Sequence, residues 1–188
     1  IAIAPTKVIL NDSIWDIHPS KITLQDEHLT VSNFKFTHKD QFLHIDGVAS
    51  KSITDTLKVD LNRINVGYVF DIVNIDDVDF KGEATGTAIA TRLFDELPIM
   101  HTGLAVSNFT FNDGLLGDMN IYGEWRNDDT SIYLNAYMDE SQEKGVTEVI
   151  GKIYPSAPIN GLNLRIQARG TNIAFLNKYM SGIANNVQ

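Results

Sequence analysis

The chain has 188 residues, a formal net charge of −9 and no cysteine. It is 43% hydrophobic and 21% charged, a balance that belongs to a packed protein rather than a disordered one. These figures exclude disulfides, thiolate chemistry and, for want of a basic stripe, nucleic-acid binding.

In chain order the dominant period is two. "HLTVSNFKF" from His28 and "LHIDG" from Leu43 come first, with "HKDQ" between them. Leu57, Val59 and Leu61 then alternate with Lys58 and Asp60. "FKGEATGTAIAT" from Phe80 places Gly82, Ala84, Gly86, Ala88 and Ala90 on one face of small side chains. Such a face admits a close backbone neighbour or forms a smooth wall for an acyl chain. "GLAVSNFTF" from Gly103 follows. Met119, Ile121, Gly123 and Trp125 then alternate with polar residues, as do Ile132, Leu134, Ala136 and Met138. The last alternating run is Leu162, Leu164, Ile166 and Ala168. Each run gives a strand one apolar face, and short polar breaks between runs predict antiparallel pairing. Two stretches leave this period. "NVGYVFDIVN" (Asn65 to Asn74) and "NIAFLNKYMSGIANNV" (Asn172 to Val187) each open on Asn, a favourable N-cap, and suit short helices.

The hexapeptide "VSNFKF" at Val31 returns as "VSNFTF" at Val106, 75 residues later. In both copies the apolar parity slips, from Val31 to Phe34 and from Val106 to Phe109. A slip keeps all these side chains on one face only where the strand bulges or turns. Ser and Asn suit such a place because they bond local backbone. The likeness extends over 29–64 and 104–139. A second overlay relates the strand–helix units 57–74 and 162–187, with two extra residues in the later copy. Ordered matches at nearly constant offset predict sheet units repeated along one direction. The whole of 1–188 is then one segment of a longer array, a reading to which Ile1 in place of Met also points.

"SIWDIHPSKITLQDEHLTVSNFKFTHKDQFLHIDG", "FKGEATGTAIATRLFDELPIMHTGLAVSNFTFNDGLLGDMNIYGEW" and "LNLRIQARGTNIAFLNKYMSG" together resemble the repeats of TamB/AsmA-like envelope proteins, most of all the large TamB-type proteins of Bacteroidetes. The likeness runs from about Val8 onward and rests on the order of "G-x-A-x-G", "lGd" and "G-x-W" elements. It implies an all-β fold: an extended, curled antiparallel sheet, an open groove or half-pipe, with one or two short helices. It also implies a periplasmic segment of a protein held in the inner membrane by an anchor outside this sequence. The implied partners are phospholipid acyl chains and, through regions outside this segment, an outer-membrane assembly protein. The implied roles are lipid transport between membranes and support of outer-membrane protein assembly.

The chemistry-bearing residues form no catalytic pattern. His18, His28, His38, His44 and His101 lack H-x-x-x-H or H-E-x-x-H spacing. Asp76, Asp77 and Asp79 lack the glycine and closing Glu of a calcium loop. Neither a nucleophile elbow nor an acid–base pair is present. The expectation is a non-enzymatic module without cofactor. Its groove lining is Leu57, Val59, Leu61, Leu104, Val106, Met119, Ile121, Ile132, Leu134, Leu162, Leu164 and Ile166. The competing expectation is that this strip is the core of a closed sandwich. A carbohydrate-binding or adhesive β-sandwich of the cell envelope is the alternative function, with Tyr122, Tyr133 and Tyr137 as its candidate aromatics.

Overall fold

A computed structural model describes residues 1–10, 13–68, 79–111, 114–138, 147–154 and 161–168. Its thirteen strands are β1 (Ala2–Ile3), β2 (Thr6–Leu10), β3 (Ser13–Ile17), β4 (Ser20–Gln25), β5 (His28–His38), β6 (Gln41–Ala49), β7 (Thr56–Asn65), β8 (Phe80–Thr91), β9 (Ile99–Phe111), β10 (Gly114–Arg126), β11 (Ser131–Met138), β12 (Thr147–Ile153) and β13 (Leu162–Ala168). All belong to one antiparallel sheet that does not close on itself. From β4 onward each strand pairs with the next in sequence, as the short polar turns predict. The β2–β3 hairpin lies off this path and meets β5 through Asp16↔Thr37 and Ile17↔Phe36. Trp15 of that hairpin is buried and stacks on Phe36, with ring centroids 4.6 Å apart.

The register carries the apolar alternation across the sheet without a break. One row reads Gly47, Leu57, Ala90 and, from β8 to β9, Met100. The next runs Ile45, Val59, Ala88, Thr102, Gly123, Leu134, Gly151, Leu164. A third runs Leu43, Leu61, Gly86, Leu104, Ile121, Ala136, Val149, Ile166. The residues between them, such as Lys58, Asp60, Thr85, Thr87, Asn120 and Tyr122, populate the other face. The sheet is therefore amphipathic, one face apolar and the other polar.

The two VSNF segments do not end strands; they lie inside β5 and β9 as bulges of one geometry. Val31 pairs with Gly47 and Phe34 with Ile45, so Ser32 and Asn33 oppose Asp46 alone. Val106 pairs with Met119 and Phe109 with Gly117, so Ser107 and Asn108 oppose Asp118 alone. Asn33 and Asn108 take left-handed φ of 52° and 50°. Their N–H groups donate to Asp46 Oδ1 at 2.8 Å and Asp118 Oδ1 at 3.0 Å. A third bulge of the same form lies in β7. Leu61 and Ile64 pair with Gly86 and Ala84, Arg63 has φ 52°, and its N–H donates to Thr85 Oγ1 at 3.0 Å. Each bulge returns the apolar residues to one face, and each adds bend and twist to its strand.

Of the helix expected from Asn65 to Asn74, one helical turn at 66–68 lies among the described residues, and 69–74 lies outside them. Asn65 caps that turn: its Oδ1 accepts from Gly67 N–H at 2.9 Å. The stretch Asn172 to Val187 also lies outside the described residues.

Candidate functional site

The apolar face divides along the strand direction into a covered end and an open end. At the covered end Val66, Phe80, Phe109 and Leu116 pack with Ala84, Val106, Met119, Ala136, Met138 and Val149 into a buried cluster. The rings of Phe80 and Phe109 sit 5.9 Å apart within it. The β9 bulge contributes directly, because it turns Phe109 back to the face that already carries Val106.

At the open end the same face forms a hollow of about 350 Å³. Leu57 and Val59 of β7, Ala88 and Ala90 of β8, Met100 and Thr102 of β9, Gly123 and Trp125 of β10 and Ile132 of β11 line it. The hollow spans five neighbouring strands, about 19 Å at ~4.8 Å between neighbours. The depth comes from small side chains. Ala88, Ala90 and Gly123 form the floor between the taller Leu57, Val59, Met100, Trp125 and Ile132. At Gly123 a Cβ would lie 2.6 Å from the Thr102 methyl, so that methyl occupies the side-chain position the glycine leaves. Thr102 turns its hydroxyl away, donating to the Thr87 carbonyl at 3.2 Å, and so adds no free polar group to the hollow.

The rim is held by polar contacts. Leu93 overhangs the hollow from the β8–β9 connection. Its neighbours bond to the β6–β7 connection, Arg92 N–H to Ser52 O at 3.3 Å and Phe94 N–H to Ser50 O at 3.2 Å. Arg92 also pairs with Asp95 at 2.6 Å, and the hydrogen bond from this guanidinium holds the Asp95 carboxyl below its ordinary value. Trp125 is anchored through its polar edge: Nε1 donates to Asn127 Oδ1 at 3.0 Å, and Asn127 Nδ2 donates to Pro98 O at 3.1 Å. The indole is thus oriented while its ring faces the apolar space.

Eleven of the twelve residues expected to line a groove share the apolar face by register, and the backbone of the twelfth, Leu162, pairs with Ile153. They do not share one environment. Leu57, Val59 and Ile132 border the hollow. Leu61 and Leu104 are half-buried between the hollow and the cluster. Val106 and Met119 belong to the buried cluster, with Ile121, Leu134 and Leu164 packed against it. Ile166 is exposed. Ala88 and Ala90, which the sequence offers as part of a smooth wall for an acyl chain, do line the hollow, whereas Ile89, Leu93, Met100, His101, Thr102, Gly123, Glu124 and Trp125 are lining residues that sequence reasoning missed. Met100 and Thr102 carry the same even parity as Leu104, and Trp125 the same odd parity as Ile121, so alternation held the signal for these three.

Among the described residues, no group of three or more His, Asp or Glu side chains is placed to hold a metal ion. Among them too, no helix is long and apolar enough to cross a membrane. No protein-family model, curated protein or solved structure matches the chain.

Proposed function

We propose that this chain is a non-enzymatic section of a groove that shelters phospholipid acyl chains in the cell envelope. The observation that carries the reading is the apolar hollow across β7 to β11, on a sheet that does not close. An acyl chain needs no directional chemistry to leave water, and each buried CH₂ contributes ~0.8 kcal/mol. The small floor residues supply room for such a chain, and the taller neighbours supply walls. The resemblance to TamB/AsmA-like proteins supplies the setting: a periplasmic segment of an inner-membrane-anchored protein, serving lipid transport or outer-membrane protein assembly.

Trp125 makes the reading testable, since it is one of two tryptophans and the one that lines the hollow. The purified chain is mixed with phosphatidylethanolamine–phosphatidylglycerol vesicles whose acyl chains carry bromine. The expected result is quenching of tryptophan emission that disappears in Trp125→Phe, where only the buried Trp15 remains. Undiminished emission, or quenching that survives Trp125→Phe, would remove the groove reading. In cells, a photo-crosslinking residue belongs at Met100, facing the hollow. Ile121 and Leu134 are poorer positions because they pack against the buried cluster.

A further inference from the structure

Taking the groove reading as given, we infer that the hollow selects amphiphiles whose head group carries an amine cation and turns away those whose head is only anionic. Orientation comes first. Toward one end of the strands the apolar face is filled by Val66, Phe80, Phe109 and Leu116 with their buried neighbours. A chain lying in the hollow therefore keeps its head at the other end, where Leu57, Ala90, Met100, Trp125 and Ile132 stand next to the strand termini. A polar head must stay in water, so it meets the connections that border the hollow at that end.

Those connections form one linked rim. The β8–β9 connection donates from Arg92 N–H and Phe94 N–H to Ser52 O and Ser50 O of the β6–β7 connection. The β10–β11 turn reaches it through Asn127 Nδ2, which donates to Pro98 O. The β4–β5 turn joins through Glu27, 2.6 Å from Lys51. Over these four segments stand Asp26, Glu27, Asp55, Asp95, Glu96, Asp128 and Asp129 against Lys51 and Arg92, seven acids against two bases. The Lys51 ammonium registers the surplus. The hydrogen bond and charge of Glu27 raise its pKa first, and Asp95 and Glu96 add to the rise from a second connection.

The cations of this end are already held. Lys51 pairs with Glu27, Arg92 with Asp95 at 2.6 Å, and Lys152 of β12 with Asp129 at 2.5 Å. Arg126 and Lys58, on the strands behind the rim, pair with Glu124 at 2.9 Å and Asp60 at 3.0 Å. Asp26, Asp55, Glu96 and Asp128 then have no Lys or Arg partner among the described residues. His28, 4.0 Å from Asp55, and His101, beside the hollow, are the histidines here. An anionic head brought to this rim meets like charge, whereas an amine finds carboxylates still unmatched. A phosphoethanolamine head brings an ammonium with its phosphate and fits. A phosphoglycerol head or a fatty-acid carboxylate brings negative charge alone.

The test titrates the purified chain with ω-bromododecyl-trimethylammonium, ω-bromododecanol and ω-bromododecanoate, each below its micelle concentration. The readout is the tryptophan quenching that is absent in Trp125→Phe. The cationic probe should half-quench at a concentration about fivefold or more below that of the carboxylate, with the alcohol between them. High salt should shrink this spread. Glu96→Lys and Asp128→Lys, both at exposed positions, should each narrow it. Asp16→Lys, the same change of net charge on the β2–β3 hairpin, should leave it as it is. Equal quenching by the three probes would overturn the proposal, as would an order that survives both rim variants or that Asp16→Lys narrows as much. Quenching by none of the probes would remove the groove reading itself, and this selection with it.

Discussion

Asn33, Arg63 and Asn108 each hold a left-handed backbone so that the residues on either side can share one face of the sheet. An L-residue in that conformation crowds its Cβ against the following carbonyl, at roughly 1–2 kcal/mol, and Asn and Gly bear it best. Asn108→Val is therefore expected to destabilise the fold by roughly 1–2 kcal/mol, while Asn108→Gly stays roughly neutral. Both variants keep the N–H that donates to Asp118, so backbone conformation alone separates them. Urea midpoints decide it, and Val tolerated as well as Gly would contradict the bulge account. The parity slip that marks these positions is visible in "VSNF" because the hexapeptide occurs twice. The identical slip from Leu61 to Ile64 passes unnoticed, since "LNRIN" reads more readily as a strand running into the Asn65 cap. The partners Asp46, Thr85 and Asp118 are not legible at all. They come from the neighbouring strand, and alternation within one strand says nothing about its neighbour's register.

At the level of the element, β8 decides whether the apolar face is filled or hollow. Its even positions are small for two different physical reasons. At Gly86 a Cβ would lie 2.1 Å from the Gly103 carbonyl oxygen, so a neighbouring backbone occupies the space. At Ala88 and Ala90 the space above is empty and forms the floor of the hollow. The run of Gly and Ala is plain in the sequence, but the two reasons cannot be told apart there, because they depend on what β9 brings opposite each position. The distinction predicts opposite outcomes for two enlargements. Gly86→Ala should lower the urea midpoint clearly, since backbone must shift to admit the methyl. Ala88→Leu should leave stability unchanged or raise it by up to ~2 kcal/mol, because the added carbons enter open apolar space. The same Ala88→Leu chain should lose most of the quenching of Trp125 by brominated acyl chains. A clear drop in stability for Ala88→Leu would mean that the floor is already packed.

For the whole molecule the question is whether one continuous apolar face serves as core or as groove, and the sheet answers differently at its two ends. Alternation treats Leu57, Met119 and Leu134 as equivalent, because each has the parity of the inner face. What separates them is tertiary: among the described residues, Val66, Phe80, Phe109 and Leu116 belong to the buried cluster at one end of the strands, whereas Leu93 of the β8–β9 connection borders the hollow at the other. Two methionines on that face measure the difference. Met119 is 3% exposed inside the buried cluster, and Met100 borders the hollow. Placing a carboxylate at Met119 strands a charge among apolar neighbours, so Met119→Glu should cost on the order of 4 kcal/mol or more. At Met100 the new carboxylate can turn toward the opening and keep its water, so Met100→Glu should cost no more than about 1 kcal/mol. The folded Met100→Glu chain should then fail to take up brominated acyl chains, because a charge now stands in their path. Circular dichroism in urea and tryptophan quenching together read both effects. If both methionine variants unfold alike, the face is a closed core along its whole length and no lipid groove exists. If Met100→Glu folds and Trp125 is still quenched, a charge at the hollow does not exclude acyl chains and the account of an apolar groove fails.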